Sequence, residues 1–152
     1  MERLAKVGGL LLEGPCWDAE HGRILFVDIL RSEMLAYDHR TGELDRIQVD
    51  ETCSSWMPRE HGGFAIAVRS GLRLTESHND PGEPAVKIEA DRPGNRSNEA
   101  KCDPAGRLWF GTMADDETAG AGALYRIDPG LEATLVLNPI TISNGLGWSS
   151  DG

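Results

Sequence analysis

Apolar positions along this chain fall in short clusters rather than in long periodic stripes. Ile24 to Ile29, Met34 to Tyr37, Phe64 to Val68, Leu108 to Gly111 and Leu124 to Ile127 are runs of four to six residues, each bounded by Gly, Pro, Asp or Asn. Runs of that length between turn residues predict β-strands. No stretch sustains an apolar helical period over three turns. The pattern therefore predicts an all-β chain of many short strands.

The strands recur. Trp17-Asp18-Ala19-Glu20-His21-Gly22-Arg23-Ile24-Leu25-Phe26 and Cys102-Asp103-Pro104-Ala105-Gly106-Arg107-Leu108-Trp109-Phe110 share an acidic turn, a Gly-Arg step and an apolar run. A second parallel follows each, in Met34-Leu35-Ala36-Tyr37-Asp38 and Ala123-Leu124-Tyr125-Arg126-Ile127-Asp128. Gly63, before Phe64, and Gly152, after Trp148-Ser149-Ser150-Asp151, extend the series. Successive glycines from Gly22 to Gly63, Gly106 and Gly152 lie 41, 43 and 46 residues apart. A period in the forties, built from short strands and turns, predicts the blades of a β-propeller. A β-sandwich is the alternative, but its turns usually recur faster. Dividing 152 residues by this period predicts about three and a half blades. Residues 1–152 are expected to be one partial propeller, cut short at the C-terminal end, because only closure covers the outermost sheets.

Charge and cysteine content narrow the partners. A net charge of -10 opposes phosphate backbones and anionic membranes, so neither nucleic acid nor membrane is an expected partner. Cys16, Cys53 and Cys102 are an odd set without a C-x-x-C pair, which predicts free thiols in a reducing compartment. With no leader-like or bilayer-spanning apolar run, a cytoplasmic location is the expectation. The chain has no nucleophile-elbow, phosphate-loop or dinucleotide pattern, and His21, His39, His61 and His78 form no zinc-type pair.

Three stretches carry candidate chemistry. They are Leu12-Glu13-Gly14-Pro15-Cys16-Trp17, then Asn95-Arg96-Ser97-Asn98-Glu99-Ala100-Lys101-Cys102 running on to Gly111-Thr112-Met113, and Ile142-Ser143-Asn144-Gly145-Leu146-Gly147-Trp148. Carboxylate and amide oxygens, as on Glu13 and Asn144, are hard ligands for divalent cations. Each also has a plainer reading. Asn144-Gly145 is a favoured hairpin turn, Glu13 suits a solvated loop, and Arg96 suits a surface beside Pro93-Gly94. Asp103-Pro104-Ala105-Gly106 predicts a structural turn. Trp17, Trp109 and Trp148 occupy similar places in the repeat and are expected to pack between blades.

Together the three stretches, with the phrase Leu25-Phe26-Val27-Asp28-Ile29, resemble the gluconolactonase/regucalcin (senescence marker protein) family of six-bladed β-propellers, in its N-terminal half. The resemblance implies one divalent metal ion (Ca²⁺, Zn²⁺, Mg²⁺ or Mn²⁺) at the mouth of the central channel. It implies Glu13 and Asn144 as ligands, and an Asp beyond residue 152 as third ligand and catalytic base, so no catalytic residue is assigned within the chain. It implies Arg96 and Asn98 as contacts to a sugar lactone, and Asp116 as an acidic residue approaching that substrate. Where the family usually reads Asn-Asp-Gly, this chain has Asn98-Glu99-Ala100. The implied activity is metal-dependent opening of a small sugar lactone by an enzyme. The alternatives are a non-enzymatic calcium-binding regulator of the regucalcin type and an interaction propeller without an active centre, the latter opposed by the absence of a WD dipeptide at the blade ends.

Overall fold

The computed structural model describes residues 5–150. Twelve strands form three four-stranded antiparallel sheets, each a meander in chain order. The first sheet contains β1 (Leu12–Asp18), β2 (Arg23–Asp28), β3 (Glu33–Asp38) and β4 (Leu44–Gln48). The second contains β5 (Cys53–Pro58), β6 (Phe64–Val68), β7 (Gly71–Thr75) and β8 (Glu83–Lys87). The third contains β9 (Asn95–Cys102), β10 (Leu108–Ala114), β11 (Gly122–Ile127) and β12 (Ala133–Ile140). These are the predicted blades. Gly152 lies outside the described residues.

Two apolar cores join the sheets, one on each face of the second. Leu25, Val27, Ile29, Met34 and Ile47 of the first sheet pack against Cys53, Trp56, Phe64, Ile66 and Val68. On the opposite face, Met57, Ala65, Ala67 and Leu72 pack against Ala100, Leu108, Phe110 and Ile127. Successive strand residues point to opposite faces. β6 thus sends Phe64, Ile66 and Val68 one way and Ala65 and Ala67 the other, which explains its unbroken apolar sequence. Trp56 is 0% exposed and donates from Nε1 to the Phe26 carbonyl at 2.9 Å, tying the second sheet to the first.

The inner strands repeat a lateral pattern. The Ala100 amide donates to the Ser55 hydroxyl at 3.2 Å, 45 residues earlier. Asn98 Nδ2 donates to the Ser143 carbonyl at 2.9 Å, again across 45 residues. The Leu146 amide donates to Glu99 Oε2 at 3.1 Å across 47 residues, and Trp148 Nε1 to the Cys102 carbonyl at 2.9 Å across 46. The segment 142–148 therefore runs beside β9 as β9 runs beside β5. It begins a fourth module at the predicted period.

Buried aspartates close the turns. Asp103 accepts from the Ala105 and Arg107 amides at 3.0 and 2.9 Å, from Arg107 Nε at 2.6 Å and from Trp109 Nε1 at 2.9 Å. Burial opposes its charge, but these donors outweigh burial and lower the carboxyl to about 2. Asp18 holds His21 in the matching turn, its carboxylate 2.8 Å from Nδ1. Asp28, fully buried at the end of β2, accepts the Leu10 and Leu11 amides at 2.8 and 3.1 Å and so anchors the strand entering β1. Two of the three repeat-matched tryptophans pack as expected: Trp109 and Trp148 lie 5.7 Å apart between β10 and the fourth module. Trp17 does not. It is 52% exposed and meets His39, in the turn after β3, edge-on, whereas the indole buried between the first two sheets is that of Trp56.

Candidate functional site

The starts of the sheets converge on one cavity of about 470 Å³. β1 contributes Glu13 and Cys16, β5 contributes Ser54 to Pro58, β9 contributes Asn98 to Cys102, and the fourth module contributes Asn144. Residues separated by more than a hundred positions thereby share a wall, as radial sheets around an axis require.

A register shift between Glu13 and Cys16 interrupts the β1–β2 ladder. Gly14 sits there with φ of +60°, and a Cβ on it would come within 2.7 Å of the Ser54 carbonyl oxygen. Only glycine allows β1 to lie this close to β5 while carrying Glu13 at the cavity wall. Glu13 and Asn144 are both exposed to the cavity. Asn144 is not a hairpin turn residue. Such a turn needs positive φ at both central positions, and only Gly145, at +79°, has it. The Gly145 amide donates back to Asn144 Oδ1 at 3.1 Å.

Asn98 is held at both ends. Its Oδ1 accepts from Arg96 Nη1 at 3.0 Å while its Nδ2 donates to Ser143. Ser143 is in turn pressed on Gly111, where any Cβ would overlap the Ser143 hydroxyl. Asn98 and Gly111 together fix the residue preceding Asn144. Arg96 donates also to the Ser97 carbonyl at 2.9 Å, and its Nε lies 3.6 Å from Asp115 Oδ1. Burial lowers its pKa, with Asp115 opposing the shift. Arg96 thus meets the cavity through Asn98.

In the acidic loop the two neighbours part company. Asp115 takes a fork of two bonds from Arg69, at 2.8 and 3.1 Å, and lies between Arg69 and Arg96. Asp116 accepts the Thr118 amide at 3.0 Å, and the Thr118 hydroxyl and amide hold its carboxyl below the usual range. Asp115 as the partner of Arg96 has no signal in the sequence beyond its place in an acidic run.

The Glu99-Ala100 pair has a local explanation. Glu99 reaches the Leu146 amide across the module boundary. Ala100 is buried, and its φ is not positive, so its backbone makes no demand that glycine alone could meet.

Glu13, Glu99, Asn98 and Asn144 bring side-chain oxygens to the cavity lining, the donor chemistry of Ca²⁺, Mg²⁺ and Mn²⁺ sites. Among the described residues no three His, Cys, Asp or Glu side chains gather as a metal-holding group. The donors present suit part of a hard cation's shell. No helix of the described residues is long and apolar enough to cross a membrane.

The sequence profile described as "SMP-30/Gluconolactonase/LRE-like region" matches residues 11–152. The chain belongs to this family. The SMP-30/gluconolactonase relatives include a 6-deoxy-6-sulfogluconolactonase of Pseudomonas putida, 32% identical over 142 residues that cover 93% of this chain and 49% of that protein. Human regucalcin is 33% identical over 145 residues, covering 91% and 48%. A crystal structure of a calcium-binding protein, regucalcin, from Agrobacterium tumefaciens superposes with a TM-score of 0.83 at 29% identity, covering 88% of this chain and 45% of that one. A luciferin-regenerating enzyme superposes with a TM-score of 0.87 at 28% identity, covering 94% and 50%. The chain spans about half the length of these relatives, and the shared architecture is the family's propeller.

Proposed function

We infer that this chain forms the metal-binding and substrate-orienting half of a hydrolase that opens small sugar lactones. The observation that supports this best is the shared cavity: Glu13, Asn98 and Asn144 come from three different modules and line one space. The sulfogluconolactonase relative makes a cyclic sugar ester the natural substrate class.

In this reading Glu13 and Asn144 hold a divalent cation through hard oxygens. Such an ion, when bound, supplies Lewis acidity toward a carbonyl and toward water. The protein's own groups do the positioning. Asn98, fixed between Arg96 and Ser143, keeps Asn144 in place, and Arg96 and Asp116, which do not line the cavity itself, are the further groups assigned to polar atoms of the sugar. Hydrolysis adds water across the ester and releases one acid proton per turnover. Acid release from a panel of aldonolactones at constant pH therefore reads the activity. Glu13→Ala is expected to lower metal-dependent turnover by roughly 100-fold or more, since even groups behind a ligand commonly cost 10 to 100-fold. Wild-type turnover in that variant overturns the assignment.

One observation favours a second reading. Arg96 and both ends of Asn98 are already paired within the protein, as a binding module without substrate chemistry would have them. A calcium-binding regulator of the regucalcin type then binds Ca²⁺ through Glu13 yet opens no lactone on a broad panel. An enzyme does both.

A further inference from the structure

The same cavity is also lined by sulfur. Cys16, Met57 and Cys102 line it, one from each inner strand. The Cys102 thiol lies 3.7 Å from the Met57 thioether. Cys16 packs against the core cluster that contains Met57. Both thiols are pushed up by burial, and Cys102 feels the charge of Cys16, which places the two within electrostatic reach. Asp18 raises Cys16 and Asp103 raises Cys102, while Lys101 lowers Cys16, so carboxylates as well as one ammonium act on the pair. Cys53, the third cysteine, is elsewhere. It is fully buried between the first and second sheets, with its thiol pushed up to about 12 by burial.

We propose that Cys16, Met57 and Cys102 form a site for a soft, thiophilic cation, with Cu(I) the natural occupant. The sulfur separation is the central argument. Two metal–sulfur bonds of about 2.3 Å, meeting at a tetrahedral or trigonal angle, hold their sulfurs roughly 3.7–4.0 Å apart. Cys102 and Met57 already stand at that spacing. A thioether is a poor ligand for hard or borderline ions and a good one for Cu(I), so two thiolates and a methionine select it. Cys102 is exposed and Cys16 partly so, which leaves the sulfurs open to an ion entering the cavity. Binding converts two S–H groups to metal thiolates and releases two protons, with no change in the oxidation state of copper or sulfur. Lys101 favours the resulting anionic complex, while Asp18 and Asp103 oppose it. The cavity lining thereby offers the oxygens of Glu13 and Asn144 to hard cations and the sulfurs of Cys16, Met57 and Cys102 to a soft one.

The test is anaerobic titration of the whole chain with Cu(I), kept reduced by ascorbate, against bicinchoninate as competing chelator. One Cu(I) per chain is expected, accompanied by release of two protons in weak buffer. Cys16→Ser and Cys102→Ser are each expected to weaken binding at least 10-fold, given that groups behind a metal ligand already cost 10 to 100-fold. Met57→Leu conserves side-chain volume, so it tests the site even if a serine variant fails to fold, and about 10-fold weakening is expected. Glu13→Gln should bind Cu(I) as wild type does. Equal affinity in wild type and Met57→Leu, displacement of Cu(I) by equimolar Zn²⁺, or no binding in competition with bicinchoninate would overturn the proposal.

Discussion

β6 and β12 are both apolar strands, and the protein treats them oppositely. Every residue of β6, from Phe64 to Val68, is buried. In β12, Leu135, Val136 and Leu137 are 48, 45 and 55% exposed. Both lie in antiparallel ladders, β6 paired on both edges with β5 and β7 and β12 on one edge with β11, but pairing along an edge does not cover the side chains of either face. The difference lies in what covers the faces. β6 has a sheet on each side, whereas β12 is the outer strand of a sheet covered on one side only, near its inner strands. In a radial stack of sheets, burial of a strand is decided by neighbouring modules more than by its own sequence.

The covered region should therefore carry most of the stability, and the largest effect is expected at Trp56. Its indole fills the core between the first two sheets and donates to Phe26. Trp56→Ala removes a large buried side chain and leaves a carbonyl without its donor, at a cost of roughly 3–5 kcal/mol. Chemical denaturation should show this as a lower midpoint. A shift as small as that of a surface substitution would mean that the two sheets do not depend on each other.

The same contrast explains what could be read from the sequence. β2, β3, β6, β10 and β11 were legible because covered strands need compact apolar runs between turn residues. The outer strands β4, β8 and β12 were not, since Leu44–Gln48 and Glu83–Lys87 carry mixed polar sequences and take their conformation from the neighbouring ladder. The period was legible because each inner strand must contact the next at a fixed offset. Glu13, Asn98 and Asn144 were placed through the phrases around them, and they do line one cavity. The clasp of Asp28 on Leu10 and Leu11, the pairing of Arg96 with Asp115, and the sulfur cluster carry no local pattern. Each joins residues whose proximity is created only by the stacking of sheets.

An intermediate effect is expected at the turn between β9 and β10 of the third sheet. Asp103 collects four donors while nearly excluded from solvent. Asp103→Asn keeps the shape but loses the charge opposite Arg107 and mismatches a donor, for a loss of about 2 kcal/mol. The sign of the pH dependence follows from the lowered carboxyl. Its stabilisation is complete above the ordinary aspartate range near 3.8 and disappears as pH falls through about 2. The wild type should therefore lose stability over this acidic window more steeply than Asp103→Asn. Parallel pH profiles would remove Asp103 from the account of the turn.

The smallest effect on folding, and the sharpest test of the contrast, is expected at Leu137. It is more than half exposed on a strand whose apolar neighbours are exposed too, and a contiguous apolar edge of this kind favours self-association. Leu137→Lys should change unfolding free energy by no more than about 0.5 kcal/mol, as surface substitutions usually do. It should also shift sedimentation velocity profiles of the chain toward the monomer at concentrations where the wild type associates, because a charge on an edge strand discourages pairing between copies. The two readouts must separate for the comparison to hold. Destabilisation by several kcal/mol would mean that Leu137 is packed like a residue of β6, and an unchanged sedimentation profile would mean that the exposed face of β12 does not drive association.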